Sequence, residues 1–256
     1  MGSCIVILGA GQVGHHLLRA FSEKGHNVSI WNRTLSHAID SAVGTNAIVL
    51  KNLSDIPFET DFCIAAFSEQ AISEIGAQIP PIRGILAHTA GSVPMELLKP
   101  FAKRYGVFYP LQTFTQNRVP EYSQIPIFIE SSDIEGVSQL QNLAQTVFGP
   151  CITLDSEQRS KLHLAAVFAC NFANASLMAA QDIVEENGLS FDLLLPLINE
   201  TLAKTMDHKP SYNQTGPAVR NNKQIIAKQL KMLNENPALA AMYEAITQYI
   251  IEKQIT

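Results

Sequence analysis

Residues Ile5–Thr34 read IVILGAGQVGHHLLRAFSEKGHNVSIWNRT, and their reading decides the fold. Ile5 to Leu8 is an apolar run too short for a helix and cut off at once by glycine, the mark of a strand buried on both faces. Gly9, Gly11 and Gly14 follow in the spacing Gly-x-Gly-x-x-Gly, and from Gln12 the period becomes helical, with Val13, Leu17, Ala20 and Phe21 on one side. Lys24-Gly25-His26 closes that helix, and Val28, Ile30 and Trp31 form a second strand. The stretch is a complete βαβ unit.

Gly9, Gly11, Gln12, Val13 and Gly14 make its turn. In such a turn one glycine permits the tight bend, one lets backbone approach a pyrophosphate, and one lets helix pack close on strand. The helix N-terminus, with its unpaired N–H groups and positive dipole end, faces the phosphates. The end of the second strand then selects the dinucleotide. An NAD site places Asp or Glu there for the ribose 2′-OH, whereas this chain has Asn32, Arg33 and Thr34. An amide, a guanidinium and a hydroxyl suit a 2′-phosphate, so the expected cofactor is NADP, with Arg33 stacking on adenine or gripping the phosphate.

GAGQVGHHL followed by WNRT resembles the NADP-binding half of the group that contains pyrroline-5-carboxylate reductase and 6-phosphogluconate dehydrogenase. YPLQTF, KLHLAAVFACNF and TGPAVRNN resemble a narrower set of bacterial proteins in that group, Rossmann-like NADP oxidoreductases with a C-terminal domain of unknown function. The resemblance covers nearly the whole chain. It implies an α/β fold with a mostly parallel sheet followed by an all-α domain, NADP as cofactor, and a helical domain used to dimerise. It names no substrate.

The 256 residues allow two modest domains, and 46% hydrophobic with 16% charged residues suffices for globular cores. A net charge of −5 without a basic patch gives no nucleic-acid surface, so none is expected as a partner. No uninterrupted apolar run reaches bilayer length and the first strand begins almost at once, so neither a membrane span nor a signal peptide is expected, and the location is cytoplasmic. Cys4, Cys63, Cys151 and Cys170 are scattered in apolar contexts, which predicts buried reduced thiols and no metal site.

Downstream, strands are expected at Ala47–Leu50, Asp61–Phe67, Gly84–His88, Val107–Tyr109, Ile125–Glu130 and Cys151–Leu154, with helices over Leu35–Val43 and Ile134–Phe148. This gives a dinucleotide-binding half at 1–154 and a helical half at 155–256. By the resemblance, backbone at Phe67 and Ser68 passes near the adenosine and nicotinamide ribose. His88 ends a strand and borders the nicotinamide end, either as an acid or substrate contact or as a histidine bonded within its own turn. Tyr109 stands before Pro110 where relatives often carry His. That exchange removes a donor that works near neutral pH, yet a phenol still donates a hydrogen bond to a carbonyl.

A helix from Ser156 to Asn187 is rich in alanine, which calls for close neighbours on several sides. Ser190 caps a helix bent at Pro196, Pro217 opens a third, and Asn236-Pro237 starts the last. Such a domain has difficulty building its own core, so a homodimer is expected. On the long helix His163, Val167 and Asn171 recur every four residues and share a face. Relatives place Lys and Asn one turn apart there. Lys161 and Asn171 are ten apart, so Lys161 inherits no role. Thr215, Pro217 and Arg220 are a further candidate, for an anionic group at a helix N-terminus. His15 and His16 are expected to face solvent.

These readings converge on hydride transfer between NADP(H) and a small carbonyl, imine or hydroxy acid in a cleft between the halves. His163 or Tyr109 would donate the proton, and Gln112 and Asn171 would orient the substrate. A dimeric NADP-binding sensor without catalysis, and an enzyme using a deazaflavin coenzyme instead, are the alternatives.

Overall fold

Short runs of Ile, Val, Leu and Ala without charge cannot face water on either side, and they form the inner strands of one sheet. A computed structural model describes residues 2–255. Residues 1 and 256, the ends of the two expected halves, lie outside the described residues. The strands are β1 (Cys4–Leu8), β2 (Asn27–Trp31), β3 (Ile48–Val49), β4 (Phe62–Ala65), β5 (Ile85–His88), β6 (Tyr105–Pro110), β7 (Ile127–Ser131) and β8 (Cys151–Thr153). They stand in the order β3-β2-β1-β4-β5-β6-β7-β8. Every adjacent pair is parallel except β6 and β7. The exception has a local cause. The β6–β7 connection holds only a single 3-10 turn, Tyr122–Gln124, and no crossover helix, so the chain comes back antiparallel.

Helices α1 (Gln12–Glu23), α2 (Leu35–Ala42), α3 (Glu69–Ile75) and α4 (Ile134–Gln145) cover the sheet. Alternate β1 residues serve its two faces. Ile5 and Ile7 join Leu17, Phe21, Ile30 and Phe108 on one side, while Val6 and Leu8 join Cys63, Ile72 and Leu86 on the other. His16 corrects the expectation of a solvent-facing residue, because it is 1% exposed and lies under the β6–β7 connection.

The described residues divide into two compact units, the division falling after Asn171. A continuous helical run of 31 residues, Ser156–Glu186, crosses it. It comprises α5 (Ser156–Ala166), a π-helical segment Val167–Phe172 and α6 (Ala173–Glu186). Asp155 opens it with a reciprocal capping box to Gln158. By length and composition this run is apolar enough to cross a membrane, which corrects the expectation that no segment is. Asn171, Asn174 and Ser176 interrupt every apolar run in it, but the average over a window still passes. Cys170 lies on it and is exposed, against the expectation of a buried thiol.

The second unit continues with α7 (Leu195–Asp207), α8 (Pro210–Asn213), α9 (Lys223–Met232) and α10 (Pro237–Ile255). Among its described residues only Ala218 is buried. Pro217 does not open a helix. The Asn222 N–H bonds back to the Pro217 carbonyl, Asn221 takes a φ of 48°, and α9 starts at Lys223 under the Asn222 side chain. Pro is as well suited to a turn as to a first helical position, so its fixed φ could not decide between them. The anion site expected at Thr215, Pro217 and Arg220 therefore lacks its helix N-terminus.

Candidate functional site

Each glycine of the β1–α1 turn meets a different constraint. Gly9 has a φ of 106°, and an added Cβ there would lie 2.7 Å from the Ala66 carbonyl oxygen. A Cβ on Gly14 would sit 1.9 Å from the Gly9 oxygen, so helix and strand could not approach. A Cβ on Gly11 would meet nothing within 4 Å. The protein itself does not demand glycine at position 11, and the absence of a side chain there leaves that backbone open to close approach by a ligand. Gly11 also offers no side-chain cap to α1, and the first turn, with Gln12, Val13 and Gly14, contains no acidic residue. The orphan N–H groups and the positive dipole end are left for an anion.

At the end of β2 the Asn32 amide fixes the scaffold, accepting from the Ala10 N–H at 3.1 Å and donating to the Thr34 carbonyl at 2.9 Å. Arg33 and Thr34 are exposed beside it. A guanidinium next to a phosphate-binding turn, with no carboxylate at the strand end, fits a dinucleotide carrying a 2′-phosphate. Phe67 lies against Gly9, its ring 3.2 Å from where a Cβ would stand, and the Ser68 hydroxyl caps α3 by accepting from the Ala71 N–H.

Tyr109, Gln112, His163 and Asn171 meet around one cavity of about 410 Å3, together with Leu111, Thr113 and the alanine-rich side of the long helix. It opens beyond the carboxyl end of β6, the edge where α/β sheets hold ligands. The Tyr109 hydroxyl is 2.9 Å from His163 Nδ1. Burial pushes the Tyr109 phenol above its usual value, partly offset by the nearby Arg159 cation, so the hydroxyl keeps its proton, and the imidazole tautomer decides whether it donates to Nδ1 or accepts from it. In the arrangement where the hydroxyl donates, the imidazole N–H is on Nε2. The wider i→i+5 turn of the π segment, whose residues Val167, Ala169, Cys170 and Asn171 line the cavity, brings Asn171 round towards the side of His163. Gly91 backs the pair. A Cβ there would lie 2.6 Å from His163 Nδ1 and 2.8 Å from the Tyr109 ring.

His88 occupies a different position. Its ring is fully enclosed, Nδ1 accepts from the Ala90 N–H and Nε2 faces the Pro94 carbonyl. Burial first and the Arg159 cation second lower its pKa to about 4. It is a buried, neutral member of the turn that carries Gly91. A larger depression of about 980 Å3, among Pro80, Pro81, Phe101 and Tyr105, lies at the amino ends of β5 and β6, away from this chemistry.

Sequence reasoning missed Arg159 and Glu130. Arg159 is 1% exposed, paired with Glu130, and bonded to the Val93 carbonyl and the Ser156 hydroxyl. Its Nε–H is buried without a partner. This cluster ties the start of α5 to β7 and to the turn after β5. A charged residue in a helix's first turns reads from sequence as solvated, and only the apolar spacing of β7 gave a hint that Glu130 ends a buried strand.

Residues 4–87 match the family described as NADP oxidoreductase coenzyme F420-dependent, and residues 125–250 match a domain of unknown function, DUF2520. No curated protein matches the chain. Among solved structures, a candidate NADP oxidoreductase, BF3122, from Bacteroides fragilis is 36% identical with a TM-score of 0.93, and 98% of each chain is covered. A reductive aminase from Aspergillus terreus in complex with NADPH and ethyl levulinate shares the fold at 14% identity and a TM-score of 0.75, over 99% of this chain and 95% of that one. So does the 1-pyrroline-5-carboxylate reductase of Streptococcus pyogenes, at 12% identity and 0.66, over 98% and 99%. With its glycine turn, the exposed Arg33 and near-complete coverage at that identity, the chain belongs to the NADP oxidoreductase family of BF3122, a Rossmann-type domain followed by a DUF2520 domain.

Proposed function

We propose that this chain is an enzyme that transfers a hydride between NADP(H) and a small carbonyl, imine or hydroxy acid, with Tyr109 and His163 managing the proton. The observation that carries this reading is the 2.9 Å Tyr109–His163 bond in a cavity on the same sheet edge as the glycine turn. The turn and Arg33 would hold the phosphates, and the bound cofactor would supply or accept the hydride. Tyr109 fixes the imidazole tautomer, so that His163 holds a proton on Nε2 for the substrate oxygen or nitrogen that gains it. The Gln112 and Asn171 amides each offer a donor and an acceptor to orient that atom. Free cysteines, with Cys63 fully buried, fit the reducing cytoplasm.

We further infer a homodimer. The most apolar stretch of the run Ser156–Glu186 has none of its residues buried. Leu164, Met178, Leu197 and Met206 are each more than half exposed. A second copy, bringing the same small-residue surface, is the occupant this composition suits, because alanines allow close helix approach and Asn171 and Asn174 supply polar partners that lipid would not.

The test is a fluorescence titration with NADPH and NADH, on the native chain and on Arg33→Ala, followed by a panel of small carbonyls, imines and hydroxy acids. Preference for NADPH that is lost in Arg33→Ala, with turnover that falls by about 10²-fold or more in His163→Ala, is the expected result. Tight NADPH binding with no turnover on the panel would favour a sensor. Unchanged turnover in His163→Ala would remove that residue from the mechanism.

A further inference from the structure

The chain between β6 and β7 is fastened to the helix that follows the glycine turn. His16, on the second turn of α1, places Nε2 2.9 Å from the Thr115 carbonyl and Nδ1 3.0 Å from the Tyr122 hydroxyl. A carbonyl only accepts, so Nε2 carries the proton and Nδ1 accepts from Tyr122. Burial supports this, holding the Tyr122 phenol protonated with its pKa pushed up to about 12. The His16 ring also stacks on Phe114, with centroids 4.8 Å apart and planes 23° apart. Both ring nitrogens and one ring face are thus spent on a single connection, residues 111–126: Phe114 and Thr115 belong to its first part, the strap 111–121, and Tyr122 to the 3-10 turn that follows. The near end of that connection, Gln112 and Thr113, lines the cavity of Tyr109 and His163.

We propose that His16 is a positioning residue for the substrate pocket: it pins the 111–121 strap to the cofactor-binding helix and thereby sets Gln112 and Thr113 in the cavity wall. This rests on the reading of that cavity as the substrate site. A strap with no helix and one isolated bridge, Thr115 to Arg118, has little else of its own to order it. The pin also makes the pocket wall and the phosphate-binding helix parts of one rigid assembly, so a shift of α1 is felt at Gln112.

The experiment uses the full chain without cofactor. His16→Phe keeps ring, volume and stacking but loses both hydrogen bonds, whereas the amide of His16→Gln can donate to Thr115 and accept from Tyr122. Two rates are followed by mass spectrometry: tryptic cleavage after the exposed Arg118 of the strap, and amide hydrogen exchange across Gln112 and Thr113 in the cavity wall. In His16→Phe both should rise about tenfold or more, the size expected from losing two ordinary hydrogen bonds. Cleavage after Arg33 and iodoacetamide labelling of the buried Cys63 should not change, and His16→Gln should return both rates to near the native values. Unchanged rates in His16→Phe would overturn the proposal. So would a rise that extends to Arg33 and Cys63, or a loosened strap that leaves exchange across Gln112 and Thr113 as it was. Because neither NADPH nor turnover is read, failure of the hydride-transfer reading would be seen separately.

Discussion

At the scale of single residues, Gly91 and His88 do different work within one turn. Gly91→Ala leaves no space for its methyl between His163 and Tyr109. The expected outcome is NADPH binding within about twofold of native and turnover lower by about 10²-fold or more, since the proton-bearing pair is pushed apart; turnover near native would show that the pair is not needed. His88 titrates at about 4 in the folded chain against a usual 6.5. Between those values the unfolded chain binds more protons, so stability is complete above about pH 6.5 and falls as pH drops towards 4. The whole shift is worth on the order of 3 kcal/mol. Urea unfolding at pH 7 and pH 4.5 should show a loss that is about 2 kcal/mol smaller in His88→Asn, whose side chain does not titrate. An equal loss in both proteins would mean that His88 is not the group that senses acid.

At the scale of elements, the Arg159–Glu130 pair joins α5, β7 and the turn after β5 through a nearly dry contact. Removing one member strands the other charge. Glu130→Ala should therefore cost about 3–5 kcal/mol in urea unfolding, while replacing both residues by leucine should recover most of it. A loss below about 1 kcal/mol for the single variant would show that water reaches Arg159 when the pair is broken. The same elements mark how far sequence could be read. The βαβ unit and its glycines were legible because the strand, turn, helix and second strand follow one another within Ile5–Thr34 and each step has a local signal. The four polar residues that meet at the cavity were also legible as candidates, from strand ends and helical spacing. His16 was not, because its partners Tyr122 and Thr115 lie 106 and 99 residues away and a helix position next to another His carries no sign of what covers it. Arg159 was hidden for a related reason: charge predicts exposure unless the partner is known. Pro217 misled because the same fixed φ serves a turn and a helix start.

At the scale of the molecule, the exposed apolar surface is the observation behind the proposed homodimer. Ala218 is alone among the described residues of the second unit in being buried, yet Leu193, Leu197, Leu202 and Met206 all lie in or beside its helix α7 with more than half of their surface in water. Fully burying one such side chain is worth about 1.5–3 kcal/mol. A standard interface buries about 800 Å2 on each partner, and the burial has to exceed the entropy lost on association. Light scattering behind a sizing column should give twice the monomer mass at micromolar concentration. Leu164→Glu with Met178→Glu, on residues 59% and 58% exposed, should give a folded species of monomer mass, since a carboxylate on each would have to be desolvated in the interface. The substitutions cost the single chain little because these positions face water in it, so far-ultraviolet circular dichroism should be unchanged. A native protein that elutes as a monomer without detergent would overturn the homodimer. A native protein that reaches solution only with detergent would instead assign the Ser156–Glu186 run to a membrane, the other use its length and composition allow.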